Sequence, residues 1–183
     1  MTIIYNVQVY PIYAGHVNDH KVLDEVEFPT PEEALQYVNE YNTAVGSTAL
    51  LTNTIGNLNV AIGLNALYGN TTGSFNIGIG PGALQINTIG VQNSAFGTYA
   101  LIGNTTGNNN TAVGSQTLYS NTSGLGNAAF GYQSLYYNQT GTYNTALGFN
   151  SGNVSSPNVI TKGIYIGANA APKTSTNTNE IVI

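Results

Sequence analysis

The sequence has no cysteine, two histidines and very few charged residues, and each of these shortages excludes a class of site. Only 6% of its 183 residues are charged, against roughly 25% in ordinary soluble domains. The lack of cysteine excludes disulfide bonds and thiolate metal sites. The two histidines, His16 and His20, lie four residues apart in a segment that predicts a turn rather than a helix, which does not favour metal ligation. We therefore expect no metal and no other cofactor.

Charge is missing from the whole centre of the chain. No charged residue lies between Glu40 and Lys162, so this stretch has neither the carboxylate pair of a glycoside hydrolase nor a basic patch for nucleic acid. It also has no nucleophile motif and no phosphate-binding loop, and we expect a protein that is not an enzyme and binds no nucleic acid. No secretory signal is visible and no apolar run reaches transmembrane length, so we expect no membrane insertion.

This uncharged stretch is filled by a strict repeat of 17 residues, which begins at Asn42 and runs to Gly148. Each copy starts with Asn and carries Gly four residues later, Leu eight, a second Asn eleven and a second Gly fourteen residues later. The consensus is N-x-[AG]-Φ-G-x-x-[AST]-L-x-x-N-[TQ]-x-G-x-x, where Φ is aliphatic or Phe. Six full copies precede the start of a seventh, in which Gly152 stands in the leucine position.

A unit of this length and composition predicts a parallel β-solenoid with one unit per coil. Two Gly and two Asn per unit disfavour helix, whereas short apolar runs that end in Gly are typical of strands joined by tight turns. Equivalent residues then stack at roughly 4.8 Å. We expect two apolar ladders inside the coil, one of the leucines from Leu50 to Leu135 and one of the Φ residues Val45, Ile62, Ile79, Phe96, Val113, Phe130 and Leu147.

The remaining columns of the repeat also have expected roles. The residue before Φ is Ala or Gly, which we attribute to the lack of room in a narrow coil. The Asn columns are expected to form side-chain amide ladders, and the Gly columns to have positive φ or a close approach of backbones. Several Asn-Thr sequences, such as Asn70-Thr-Thr, match the glycosylation sequon, but we interpret them as part of the repeat turn.

Two segments of different character flank the repeat. Residues 1–41 contain one lysine and seven acidic residues, and they predict two strands and a helix that begins at Thr30, Pro31 and Glu33. We interpret residues 1–41 as a small β-β-α docking or capping domain, residues 42–152 as the solenoid, and residues 153–183 as a C-terminal loop and strand cap. Within the cap, residues 163–170 repeat the core pattern with a shift of two residues, and residues 179–183 predict a final strand.

Two groups of side chains are candidates for contacts with partners. Aromatic residues in the variable columns suit contact with sugar or protein, and the predicted partner surface consists of Tyr68, Tyr99, Tyr119, Tyr132, Tyr136 and Tyr137. The acidic residues of the first segment form the predicted docking surface, which consists of Asp24, Glu25, Glu27, Glu32, Glu33 and Glu40. A thin, uncharged coil with so many aromatic residues needs cover, and this predicts self-association around a symmetry axis.

The repeat resembles those of known fibrous proteins. Asn42-Thr-Ala-Val-Gly, Asn59-Val-Ala-Ile-Gly and Asn144-Thr-Ala-Leu-Gly resemble the head repeats of trimeric autotransporter adhesins, which fold as left-handed parallel β-rolls in homotrimers. The longer unit, with Ala66-Leu-Tyr-Gly-Asn-Thr-Thr-Gly, is more similar to fibre and tail proteins of bacteriophages and large viruses. An autotransporter needs an export signal and a C-terminal membrane barrel, neither of which is visible here, whereas a virion protein needs neither.

The resemblance covers residues 42–183 and implies a homotrimeric structural protein, a tail or capsid fibre or spike, at the surface of a virion or otherwise extracellular. Its partners would be its own copies, other virion proteins bound through residues 1–41, and a glycan or protein of the host surface. Two alternatives stay open. One is a self-assembling extracellular filament, and the other is an ice-binding solenoid, suggested by a threonine column that Gln139 interrupts: Thr54, Thr71, Thr88, Thr105 and Thr122.

Overall fold

The computed structural model describes residues 41–154, 159–174, 176 and 178–183, and these residues form one parallel β-solenoid of about eight coils without a helix. The predicted mainly-β fold and repeat architecture are confirmed. The predicted β-β-α domain lies outside the described residues, except for Tyr41. Nine short strands follow one another in chain order within a single sheet: β1 (Thr43–Val45), β2 (Val60–Ile62), β3 (Ile77–Ile79), β4 (Ser94–Phe96), β5 (Thr111–Val113), β6 (Ala128–Phe130), β7 (Thr145–Leu147), β8 (Ile164–Ile166) and β9 (Ile181–Val182).

The register of the sheet follows the repeat. From β1 to β7 each residue pairs with the residue 17 positions later, as Ala129 does with Ala146. The next step is 19 residues, because Ala146 pairs with Tyr165, and the step returns to 17 where Ile164 pairs with Ile181. The predicted shift of two residues and the predicted last strand are therefore confirmed. We number the coils from coil one, which begins at Asn42, so that coil seven begins at Asn144.

The two glycine columns let successive coils approach closely. The glycines that end the strands, from Gly46 to Gly148, have φ between 126° and 137°, a region that residues with a side chain seldom adopt. In the second column, a Cβ on Gly73 would lie 2.3 Å from the carbonyl oxygen of Gly90. Both expectations for the glycine columns are confirmed, and any larger residue would push neighbouring coils apart.

The interior of the coil is built from leucine and alanine. The leucines of coils two to six are fully buried, which confirms the leucine ladder. Their φ angles are 51–53°, which is uncommon for leucine. This backbone conformation belongs to a tight bend of the coil and directs the side chain inward. The central residue of each strand from β2 to β8 is also buried, and Ala61, Ala95, Ala112, Ala129 and Ala146 are fully buried.

The predicted internal ladder of Φ residues is wrong, because these side chains lie on the outside of the coil. Val45, Phe96 and Leu147 are 57%, 37% and 51% exposed. Successive residues of a strand point to opposite faces, so Φ cannot share the interior with the alanine before it. Where leucine fills the coil, the central position has little room: a Cβ added to Gly78 would already lie 3.3 Å from Cγ of Leu67.

Two columns of asparagine form the predicted amide ladders inside the coil. In the first, Nδ2 of Asn70 donates to Oδ1 of Asn53 at 2.7 Å, and the same bond recurs up to Asn138. In the second, Oδ1 of Asn59 accepts the backbone N–H of Asn76 at 2.9 Å, while its Nδ2 donates to the carbonyl of Gly73 at 2.9 Å. Buried amides need such partners. Asn70 and its equivalents therefore belong to the repeat turn, as interpreted from the sequence, and their amide nitrogens are not open to glycosylation.

Candidate partner surfaces

The outer face of the sheet is a regular apolar surface. The third residue of every strand from β1 to β8 is apolar and points outward, and we call this surface the Φ face: Val45, Ile62, Ile79, Phe96, Val113, Phe130, Leu147 and Ile166. The first residues of the strands flank it with Thr, Val, Ile, Ser and Ala. At roughly 4.8 Å per strand, the face is about 34 Å long. Among the outward columns of coils one to seven, this one alone is apolar in every copy.

A continuous exposed apolar strip of this kind is unusual on a chain that acts alone, and such strips mark interaction sites. The sequence predicted these residues to be buried, and the single chain leaves them uncovered. Their apolar character is maintained in every coil although their size varies from Val to Phe.

The structure brings four of the six predicted tyrosines together. The ring of Tyr136 stacks on that of Tyr119 in the preceding coil, with centroids 4.8 Å apart and planes 9° apart. The ring of Tyr137 meets that of Tyr136 edge-on, at 4.8 Å and 77°. Tyr132 stacks on Phe149 at 5.6 Å and 17°. We call these five residues the aromatic cluster.

The tyrosine hydroxyls of this cluster influence one another. Burial raises the pKa of Tyr136, and the neighbouring phenols of Tyr119, Tyr137 and Tyr132 raise it further, because a charge on one phenol disfavours a charge on the next. Tyr132 precedes Tyr136 by four residues in coil six, and its stacking partner Phe149 lies in coil seven. None of the four hydroxyls forms a hydrogen bond within the part of the chain that the structure describes.

The other two predicted tyrosines lie apart from the cluster. Tyr68 is in the same column as Tyr119 but three coils away, about 14 Å along the rod. Tyr99 covers Gly82 of the preceding coil, where an added Cβ would lie 2.5 Å from its Cδ1. Phe149 was not predicted as a contact residue. It follows Tyr132 by 17 residues, so the repeat spacing alone would have identified it.

The threonine column uses its hydroxyl protons within the chain. Oγ1 of Thr71 donates to the carbonyl of Thr88 at 3.0 Å, and four equivalents from Thr54 to Thr122 make the same bond. These hydroxyls can offer water only their oxygen atoms. The hydroxyls of this column therefore link successive coils by hydrogen bonds, and they also face solvent.

The predicted docking acids and both histidines lie outside the described residues. Within the described part, no group of three metal-ligating side chains occurs, and no helix there is suited to crossing a bilayer. Comparisons with protein-family models, with curated proteins and with solved structures give no match for this chain.

Proposed function

We propose that this chain is a structural virion protein, a homotrimeric fibre or spike of a tail or capsid, located at the virion surface. The observation that carries the proposal is the Φ face, which is apolar in every coil and uncovered in the single chain. Removing such a strip from water is the dominant gain in chain association, and closed symmetric assembly is its usual form.

The shape of the Φ face suits an assembly of three. Each main strand is three residues long, so its first and third residues lie about 7 Å apart and the face is a narrow strip. Three such strips can line one axis with equivalent coils at the same height, so that each chain contacts two others. The resemblance to autotransporter heads and viral fibres implies the same number.

The interior of the coil suits a rigid spacer. Both amide ladders and all the strand pairings run from coil to coil, along the rod rather than across it. In this proposal residues 1–41 bind other virion proteins through their acidic side chains, and the aromatic cluster faces the host. The protein is neither an enzyme nor a nucleic-acid-binding protein.

Sedimentation equilibrium of the full chain at micromolar concentration tests the assembly, and we expect the mass of three chains. A monomer would contradict the proposal. Immunogold imaging of intact source particles tests the location, and we expect label at a tail or on the capsid. Particles without label would leave a trimeric rod with another role.

The two alternatives have their own measurements. The regular threonine column is the only feature that favours ice binding, and thermal hysteresis of the purified protein decides it. We rank this function below the first because the hydroxyl protons of the column are bound to backbone carbonyls. Continuous filaments in electron micrographs of the purified protein would favour the self-assembling filament instead.

A further inference from the structure

The aromatic cluster has the features of a preformed ligand site. Tyr136 is held between the parallel ring of Tyr119 and the perpendicular ring of Tyr137, and both arrangements are favourable for aromatic pairs. Rings that fix one another lose little freedom when a ligand binds. Exposed ring surface belongs to Tyr137, whose plane is turned 77° from that of Tyr136, and to Phe149. Tyr137 is 39% and Phe149 54% exposed.

Polar groups next to these rings supply donors and acceptors. The four phenol hydroxyls of the cluster can each donate and accept. Gln133, which follows Tyr132 in the chain, donates from Nε2 to Oε1 of Gln116 at 2.8 Å. That bond uses one of the two protons on the Gln133 amide and one acceptor position of Gln116. Open ring faces beside hydroxyls and amides match a pyranose, which has an apolar C–H face and a rim of hydroxyls.

We propose that the aromatic cluster binds a neutral glycan. The proposal rests on the proposed function, since it names the chemistry of the host partner. Neutrality follows from the absence of charge between Glu40 and Lys162, because a sulfate or carboxylate at this site would lose water without gaining a cation.

The size of the cluster favours a glycan over a protein partner. It extends from coil five to coil seven, about 10 Å along the rod. A stable protein interface buries about 800 Å² on each side, which is more area than a patch of five side chains of this length provides.

The proposed trimer leaves Tyr136 and Tyr137 open. Tyr137 follows the inward Ala129 by eight residues and precedes the inward Ala146 by nine, which places it halfway round the coil from the sheet. Along the coil, Tyr136 and Tyr137 are therefore well separated from the Φ face in both directions, whereas Tyr132 and Phe149 each follow a Φ residue by only two positions.

Isothermal titration of the full chain tests the proposal with maltohexaose, cellohexaose, chitohexaose and mannohexaose, and with heparin as the charged contrast. We expect saturable binding of at least one neutral hexasaccharide and none of heparin. Tyr136→Ala and Tyr119→Ala should each raise Kd at least about ten-fold, and Tyr136→Phe should raise it less because the ring remains. The matched control is Tyr143→Ala, which removes an exposed tyrosine outside the cluster and should leave Kd unchanged.

Several results would overturn the proposal: no binding of any neutral probe at millimolar concentration, binding of heparin alone, or an equal loss in Tyr143→Ala. Adhesion to host cells that depends on Tyr136 but survives periodate oxidation of the cell surface would indicate a protein partner and would also overturn it. The oligomeric state of every variant is measured in parallel. A trimer that binds no sugar refutes only the glycan site, whereas a monomer that binds sugar refutes only the proposed assembly.

Discussion

Tyr165 fills the space that Gly152 leaves in the leucine column. Gly152 stands where the six preceding coils have leucine, and Tyr165 stands where most strands have a central alanine. A Cβ on Gly152 would lie 3.2 Å from Cδ2 of Tyr165 and 2.6 Å from Cδ2 of Leu135. Tyr165 is fully buried. Most other coils combine a large leucine with a small central alanine, whereas here a small glycine is combined with a large central tyrosine. The interior therefore stays filled where the register shifts by two residues.

This exchange predicts a strong coupling between the two positions. Tyr165→Ala should destabilise the fold by about 3–5 kcal/mol, as expected when a large buried ring is deleted. Gly152→Leu alone should also destabilise it, because the added side chain would be crowded between Leu135 and Tyr165. The double variant restores the leucine–alanine pair of the other coils, so chemical denaturation should show it to be more stable than either single variant. Additive losses would mean that the two residues do not share one space.

The hydroxyl of Tyr165 predicts a loss of stability in alkali. It is buried without a hydrogen-bond partner among the described residues, and burial, followed by the charge of Glu180, raises the pKa of Tyr165 to about 12. An unfolded tyrosine titrates near 10. The stability contributed by the protonated phenol is therefore complete below pH 10 and is lost as the pH rises towards 12.

Tyr165→Phe is the variant that isolates this effect. It removes the unpaired hydroxyl, so its melting temperature at pH 7 should equal or exceed that of the parent. Between pH 10 and 12 the parent should lose more stability than the variant, because the two proteins differ only in this hydroxyl. Parallel melting curves across this range would show that Tyr165 ionises as freely in the fold as outside it.

The repeat allowed the solenoid, its register, the amide ladders and the roles of glycine to be predicted, because each depends on spacing and residue type alone. The inside and outside of the strand were assigned wrongly, since hydropathy places Phe96 inside before Ala95. Size is the better criterion in so thin a coil. From β2 to β7 the interior beside the leucines accepts only a small residue at the central position, so the column that varies from Val to Phe must face a space outside the coil. The same 17-residue spacing predicts contacts such as that of Tyr132 with Phe149. It does not predict the distance or the angle between the rings.

Because Ala129 points into the coil and Phe130 points out of it, the same charged substitution at these two adjacent residues should have different results. Phe130→Asp places a charge on the Φ face and should give a folded monomer, because the carboxylate stays hydrated until chains associate. Ala129→Asp places the charge inside the coil, where it has no partner, and should prevent folding. Circular dichroism measures the fold and sedimentation the assembly. A trimeric Phe130→Asp protein would exclude the Φ face from the interface.

Because the amide ladder joins successive coils, replacing one of its asparagines should also remove hydrogen bonds from the two neighbouring coils and lower the free energy of unfolding. Nδ2 of Asn104 donates to Oδ1 of Asn87 at 2.7 Å, and its own Oδ1 accepts from Asn121 at 2.8 Å. Asn104→Ala leaves both neighbours with an unmet buried bond, each worth about 1–3 kcal/mol. The matched control is Thr106→Ala, which changes an exposed side chain two residues later at a position without positive φ. Equal denaturation midpoints for the two variants would contradict a structural role for the ladder.

Deletion of residues 1–41 separates two roles for the acidic segment. If the segment docks the rod, the truncated chain should remain a trimer of one size but no longer join its particle, and binding of the full chain should weaken with salt, because the docking charges are screened. If the segment is only a cap, removing it exposes the free edge of β1, which pairs with β2 alone among the described strands. An open parallel edge is a template for further pairing, so the truncated rod should then polymerise while its particle binding persists. Size-exclusion chromatography and particle incorporation, measured on the same preparation, distinguish the two. A truncated trimer that incorporates normally would refute the docking role.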